Sequence, residues 1–257
     1  MRRPLALLLF TLVFVCGNAL AAEPDYSQWN RILSTYYNAD LGLDYKALKA
    51  KDDATVQNLR KQLGTVNVAS LNPKEQLAYW INVYNVNTVG TILENYPVKS
   101  IRDISTDPII RLNVFKKERV PFGSKMLSLN DVENTYIRDG FKDPRIHFAI
   151  NCAALTCPPL RTESYVGARL DAQLDEQSRM FLNGKFGAKF KPTSKKLNIS
   201  TTKIMDWFGK DFGDDGAKAA FIRRYVPADK QRLIDQANGK FDFDYDTYDW
   251  ALNDWRR

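Results

Sequence analysis

Three features of the sequence predict an α+β fold, predominantly helical, built around a long buried helix with a small antiparallel sheet. The first is Tyr79-Trp80-Ile81-Asn82-Val83-Tyr84-Asn85-Val86-Asn87, apolar on nearly every face and so suited to a central helix. The second is amphipathic helical spacing over residues 25–38 and 44–63. The third is a set of short strand-like segments, the clearest being Arg145 to Ile150 and Phe241 to Asp246. No repeat, low-complexity stretch or Pro/Gly-rich linker divides the chain, which predicts a single domain over residues 22–257.

The chain opens on an export signal. Arg2 and Arg3 form a basic start, Leu5 to Cys16 an apolar run, and Ala19-Leu20-Ala21 the small-x-small pattern of a cleavage site, so residues 1–21 are expected to be removed. The run falls short of the roughly 20 apolar residues a membrane span needs. No second such run follows, so no transmembrane anchor is expected after cleavage. Val15 stands where a lipid-attachment box wants a small residue. The expected compartment is a periplasm, with secretion as the alternative.

Apolar content of 44% is enough for a packed core. Loss of Arg2 and Arg3 leaves 35 basic and 30 acidic residues, a net charge of +5. That balance favours anionic surroundings such as phospholipid headgroups, anionic glycans or cell-wall polymers, and export argues against nucleic acid. Charge alone names no ligand, and the expected partner is a small molecule or an envelope component.

Asn72-Pro73-Lys74-Glu75 announces the long helix: Asn72 caps, Pro73 suits the first turn and Glu75 completes a capping box. It is expected to run to about Asn95 and stop before Pro97. Asn82 and Asn85 share a face, and buried amides there must pin loops or line a polar pocket. Residues 112–122 suggest a hairpin, Leu112 to Phe115 with Arg119 to Phe122, turning near Lys116-Lys117. Ser128 to Glu133 opens a capped helix ending at Gly140, Arg145 to Ile150 reads as a strand, and Asn151 to Arg161 as a loop stiffened by Pro158-Pro159. A helix follows over about 165–182. Phe186–Phe190 with Lys196–Ile199 suggests a second hairpin, and Met205–Phe208 starts short C-terminal helices. In the final strand Asp242, Asp244 and Asp246 imitate a calcium loop, but Thr247 replaces the required Gly and Asn253 the bidentate Glu. They are expected to line a wet face, with Phe241, Phe243 and Tyr245 packed inward.

The candidate chemistry gathers at the first of these strands. His147 is the only histidine, and on a strand it would share a face with Ala149 and Asn151. Cys16 leaves with the signal, so the mature chain keeps Cys152 and Cys157, five positions apart. In an oxidising compartment such a pair is expected to form a disulfide. The alternative is a Cys152 nucleophile with His147 as base, oriented by Asn151, Asn82, Glu75 or Glu133. Strand alternation would put His147 and Cys152 on opposite faces, against a direct pair. Two inert buried thiols are a further possibility. A metal site of His147 with both cysteines lacks a fourth ligand, and no cofactor motif is present. Glu75 and Glu133 each lie three residues after a candidate cap, Asn72 and Asn130, which favours capping over general acid–base work.

Glu75 to Asn85, Leu127 to Asn134, Asp143 to Cys152 and Cys157-Pro158-Pro159-Leu160 resemble, in order and spacing, the family known as domain of unknown function 547. The resemblance covers about residues 70–185 and identifies the chain as an exported bacterial member. It implies that these segments form one module and meet in space, and it carries no established activity. In that family a histidine commonly follows the glutamate of the second motif, where this chain has Asn134.

Two functions are therefore expected. One is an envelope binding or accessory module with a polar pocket between the 73–95 helix and the His147 strand, locked by a Cys152–Cys157 disulfide and using Asn82, Asn85 and Asn151. The other is a thiol hydrolase or acyl/amide transferase with Cys152 as nucleophile, His147 as base and an asparagine or a glutamate, Glu75 or Glu133, orienting the ring.

Overall fold

A computed structural model describes residues 23–104 and 113–255. Residues 1–21, expected to be an export signal, and Leu112 lie outside them. Three helices build the first half: α1 (Ser27–Tyr36), α2 (Tyr45–Leu63) and α3 (Pro73–Asn95). The expected capping box opens α3: Asn72 Oδ1 accepts from the N–H groups of Lys74 and Glu75, and the Glu75 carboxylate accepts from the Asn72 N–H at 2.8 Å. Every residue from Leu77 to Leu93 is buried, so α3 is the axis around which a large apolar cluster packs. The architecture is α+β, helices dominating, with three small sheets of two or three strands.

The expected hairpin is displaced. Its strands are Glu118–Phe122 and Lys125–Ser128, turning at Gly123, whose φ of +57° suits glycine. Val114–Lys116 is instead a single helical turn capped by Asn113. Ser128 then caps the next helix with Asp131 as its reciprocal partner, so Asn130 is not the cap and Glu133 is released from capping. Val132–Arg138 continues as a π-helix, the wider turn that often marks functional positions.

Arg145 to Ile150 is not a strand. Asp143 accepts from the Arg145 N–H, Pro144 takes the first turn, and Pro144–Phe148 winds as a 3₁₀ helix. The apolar alternation that suggested a strand has another cause: Ile146 packs into the α3 cluster, while Phe148 enters a second cluster with Phe181, Phe212 and Phe221. One helical turn thus faces two cores, and His147 is held between them.

Helix α4 (Leu170–Leu182) begins later than expected, after a short turn at Gly167–Arg169. The second hairpin, Lys189–Pro192 with Leu197–Thr201, gains Phe241–Tyr245 as a parallel third strand, making this sheet mixed. Its aspartates face outward as expected: Asp242 pairs with Lys196, Asp246 with Lys189, and Asp244 accepts from Asn198. Phe241, Phe243 and Tyr245 pack on the second cluster.

The C-terminal segment returns across the first half of the chain. The Leu252 N–H donates to the Lys99 carbonyl, the Leu155 N–H to Ala251, and the Leu43 N–H to Asn253. At Gly42, φ +97°, a Cβ would collide with the Asn253 carbonyl, so only glycine admits this crossing. No helix among the described residues is long and apolar enough to cross a membrane.

Candidate functional site

The returning segment closes a cavity of about 190 Å³. Tyr84 of α3, Glu133 of the π-helix, and His147, Ile150, Cys152 and Cys157 form its inner wall. Phe115, Trp207, Phe208, Tyr248 and Trp250 form its aromatic rim, with Asn113 and Asn130 between. Trp207, Tyr248 and Trp250 contact one another at centroid separations of 4.9 to 5.9 Å.

Cys152 and Cys157 are free thiols, with sulfurs 2.8 Å apart. A disulfide needs about 2.05 Å. The expected disulfide is therefore not formed in this structure, and the short approach is a hydrogen-bonding one. Both line the cavity, Cys152 half-buried and Cys157 buried. The Cys152 N–H donates to Cys157 Sγ at 2.9 Å, and the Tyr248 hydroxyl lies 3.0 Å from Cys152 Sγ. Burial alone would push the Cys152 thiol up, but hydrogen bonds from Cys157, Tyr248 and the Ala154 N–H outweigh it and hold the thiol below its ordinary value. Burial and the neighbouring Cys152 drive Cys157 well above that value, so Cys152 is the more readily ionised of the two. Burial likewise keeps Tyr248 protonated, a donor to a Cys152 thiolate.

Glu133 exposes part of its surface to the cavity, yet protein encloses its carboxyl on most sides. That enclosure pushes it up to about 7, against the opposing pull of the Arg138 charge and a hydrogen bond with Tyr84. A carboxyl there exchanges its proton near neutral pH.

His147 is 2% exposed. Its Nε2 lies 2.7 Å from Asp211 Oδ2, and its ring stacks on Phe208 at 4.2 Å. Burial lowers its pKa, and its hydrogen bond lowers that of Asp211, so a neutral imidazole donates from Nε2 to a carboxylate. Nδ1 then carries the lone pair. Arg138 holds Asp211 from the other side, Nε and one Nη at 2.6 and 3.0 Å, and also donates to Asn134 Oδ1. Asn134 thus supports the arginine that steadies Asp211. It does not line the cavity.

The structure brings four of the candidates, Cys152, Cys157, His147 and Glu133, to one cavity, but no hydrogen bond joins His147 to Cys152. Glu75 is elsewhere, bound to the start of α3 and packed against Gly167. Asn82, Asn85 and Asn151 tie loops to the core. Asn82 bonds both backbone groups of Tyr165; Asn85 joins Ala149 to Asn151; Asn151 accepts from the Ala153 N–H and donates to Pro158. Asn151 and Cys157 also border a second cavity, beside Tyr37 and Phe186. The pocket expected between α3 and a His147 strand is displaced toward the C-terminal aromatics, with Tyr84 as the contribution of α3.

Tyr84, Trp207, Phe208, Asp211, Tyr248 and Trp250 were not anticipated as site residues. Aromatic density at 207–208 and 245–250 was a usable signal; nothing local marked Asp211. Among the described residues no cluster of three or more His, Cys, Asp or Glu is arranged to hold a metal ion.

Comparison with known proteins gives one match: a family model described as a protein of unknown function, DUF547, over residues 68–182. No curated protein and no solved structure matches the chain.

Proposed function

We propose, for a chain that belongs to the DUF547 family, that the cavity is the active site of an exported thiol-dependent acyl-transfer enzyme, a hydrolase or an acyl/amide transferase, with Cys152 as nucleophile. The observation that carries this reading is the Cys152 sulfur. It lies beside an open cavity, 3.0 Å from a protonated Tyr248 and 2.8 Å from Cys157, and its thiol is held below the ordinary value. Export is supported by Arg2, Arg3, the apolar run and Ala19-Leu20-Ala21.

In the proposed sequence the Cys152 thiolate adds to the carbonyl carbon of an ester, thioester or amide. The developing oxyanion is met by side-chain donors on the cavity wall, the Asn130 amide and the Tyr248 hydroxyl. Glu133, whose carboxyl burial pushes up to about 7, gives its proton to the leaving group. As a carboxylate it then takes one from the water or amine that attacks the thioester, which returns Cys152 as thiolate. His147 is the base of the sequence-level expectation. Here its Nε2 is committed to Asp211 and its ring to Phe208, which supports a role in shaping the wall beside Glu133.

The aromatic rim favours a second reading, a binding module for an uncharged small molecule or envelope component. Trp207 is 47% exposed at the rim although large and apolar.

The test is acylation of the reduced mature protein by p-nitrophenyl acetate and a panel of acyl thioesters, read by intact mass and peptide mapping. The acyl-enzyme reading expects one acetyl group on Cys152, its loss in Cys152→Ala, and slow deacylation in Glu133→Gln. Absence of acylation, with ligand retained and unchanged, would leave the binding reading in its place.

A further inference from the structure

In acyl transfer the second thiol only supports Cys152 by a hydrogen bond, yet its sulfur is close enough to react with Cys152 directly. The two sulfurs are 2.8 Å apart in the wall of the cavity, Cys152 half-buried and Cys157 the more buried of the two. The loop between them is folded independently of any bond between the sulfurs. Asn151 accepts from the Ala153 N–H and donates to the Pro158 carbonyl, clasping both ends, and the Cys157 N–H closes a turn onto Ala154. Ala153 holds φ +60°, a left-handed conformation this clasp maintains. The sulfurs are thus held face to face, the arrangement that gives an intramolecular step its advantage. The Cys152 N–H, 2.9 Å from Cys157 Sγ, is positioned to stabilise negative charge on that sulfur when it attacks.

We infer that Cys152 and Cys157 form an exchanging dithiol that reduces small uncharged disulfides, Cys152 attacking and Cys157 resolving. This rests on the reading above in taking Cys152 as nucleophile. The Cys152 thiolate attacks one sulfur of a dialkyl disulfide; a mixed disulfide forms and the first alkyl thiolate leaves, protonated by the proton Cys152 gave up. Cys157 then attacks Cys152 Sγ and expels the second thiolate, which takes the Cys157 proton. The net change is two protein thiols and one disulfide to one protein disulfide and two small thiols, with two electrons passing to the substrate.

The cavity sets the class of disulfide. Its volume of about 190 Å³ admits only a small molecule, and no lysine or arginine lines it. Glu133 and the Cys152 thiolate repel carboxylates, while Phe115, Trp207, Phe208 and Trp250 line it with aromatic surface that sulfur and alkyl groups contact favourably. A disulfide carrying several carboxylates is disfavoured; a neutral one fits.

The test uses the reduced mature chain with 2-hydroxyethyl disulfide, acid-quenched and read by intact mass and peptide mapping, beside p-nitrophenyl acetate acylation of the same wild-type sample. The expected result is a wild-type protein that has lost two hydrogens with a Cys152–Cys157 bond, a Cys157→Ser protein stalled as a hydroxyethylthio adduct on Cys152, and a Cys152→Ser protein at least tenfold slower to react. Near-ultraviolet dichroism checks that both variants fold. A wild-type adduct on Cys152 as long-lived as that of Cys157→Ser overturns the resolving role. An adduct forming on Cys157 in Cys152→Ser as fast as in the wild type overturns the order of attack. If Cys152 is acylated but no protein disulfide forms, this inference fails and the acyl-transfer reading stands. If Cys152 reacts with neither reagent, both fail.

Discussion

The Tyr248 hydroxyl lies 3.0 Å from Cys152 Sγ across a sequence separation of 96 residues. A residue of the returning C-terminal segment thereby helps Cys157 and the Ala154 N–H to lower the pKa of a thiol in the family-matched module. Tyr248→Phe removes a donor to the thiolate while keeping the ring. A net hydrogen bond of about 0.5–1.5 kcal/mol corresponds to a roughly 2- to 12-fold loss of thiolate. Alkylation of Cys152 by iodoacetamide near pH 7 is expected to slow by that factor, with folding unchanged.

Glu133 predicts a pH dependence of stability. Its carboxyl is raised to about 7 in the folded protein from an ordinary value of 4.5. The folded state therefore binds the proton more tightly than the unfolded chain, and stability falls as pH rises from about 4.5 to 7, then levels off. A full shift of this size corresponds to about 3 kcal/mol, and water in the cavity reduces it to roughly 1–2 kcal/mol. Urea unfolding of Glu133→Gln should lack this loss. The variant should match the wild type near pH 4 and exceed it near pH 8.

Asp211 predicts the opposite trend. Its hydrogen bond from His147 and its pairing with Arg138 hold its carboxyl well below the usual range, so its contribution is present above about pH 4 and fades as acid protonates it. Asp211→Asn is expected to cost roughly 2 kcal/mol near neutral pH, and progressively less in acid. As the chain has one histidine, its ¹⁵N spectrum reports the tautomer directly. The wild type should show protonated Nε2, and Asp211→Asn a mixture.

Gly42 predicts a coupling between the fold and the site. With φ +97° and the Asn253 carbonyl against its Cα, Gly42→Ala should displace the C-terminal segment and destabilise the protein by about 2 kcal/mol or more. Tyr248 and Trp250 travel with that segment, so Cys152 alkylation should slow as well. A destabilised protein with unchanged thiol reactivity would separate the two.

Much of this was legible locally. Asn72, Pro73 and Glu75 carry their own helix start, and the apolar run behind them can only be interior. The errors share a physical origin. Ile146 and Phe148 alternate as in a strand because two separate cores accept them from one helical turn. Glu133 follows Asn130 at capping distance, but Ser128 and Asp131 form the better box two residues earlier. Cys152 and Cys157 read as a disulfide from compartment alone, while the structure keeps them as free thiols at hydrogen-bonding distance. Tyr248 and Asp211 reach the site only through tertiary folding, which no local spacing encodes.

The most direct test of a nucleophilic Cys152 is the pH–rate profile of its alkylation by iodoacetamide in the reduced wild-type protein, with Cys152 and Cys157 followed separately by peptide mass. The account predicts that Cys152 reacts first, with an apparent pKa below the ~8.5 of a free cysteine, and that Cys157 reacts far more slowly across the range. A Cys152 midpoint at or above that of a free thiol, or equal rates at the two cysteines, would contradict it.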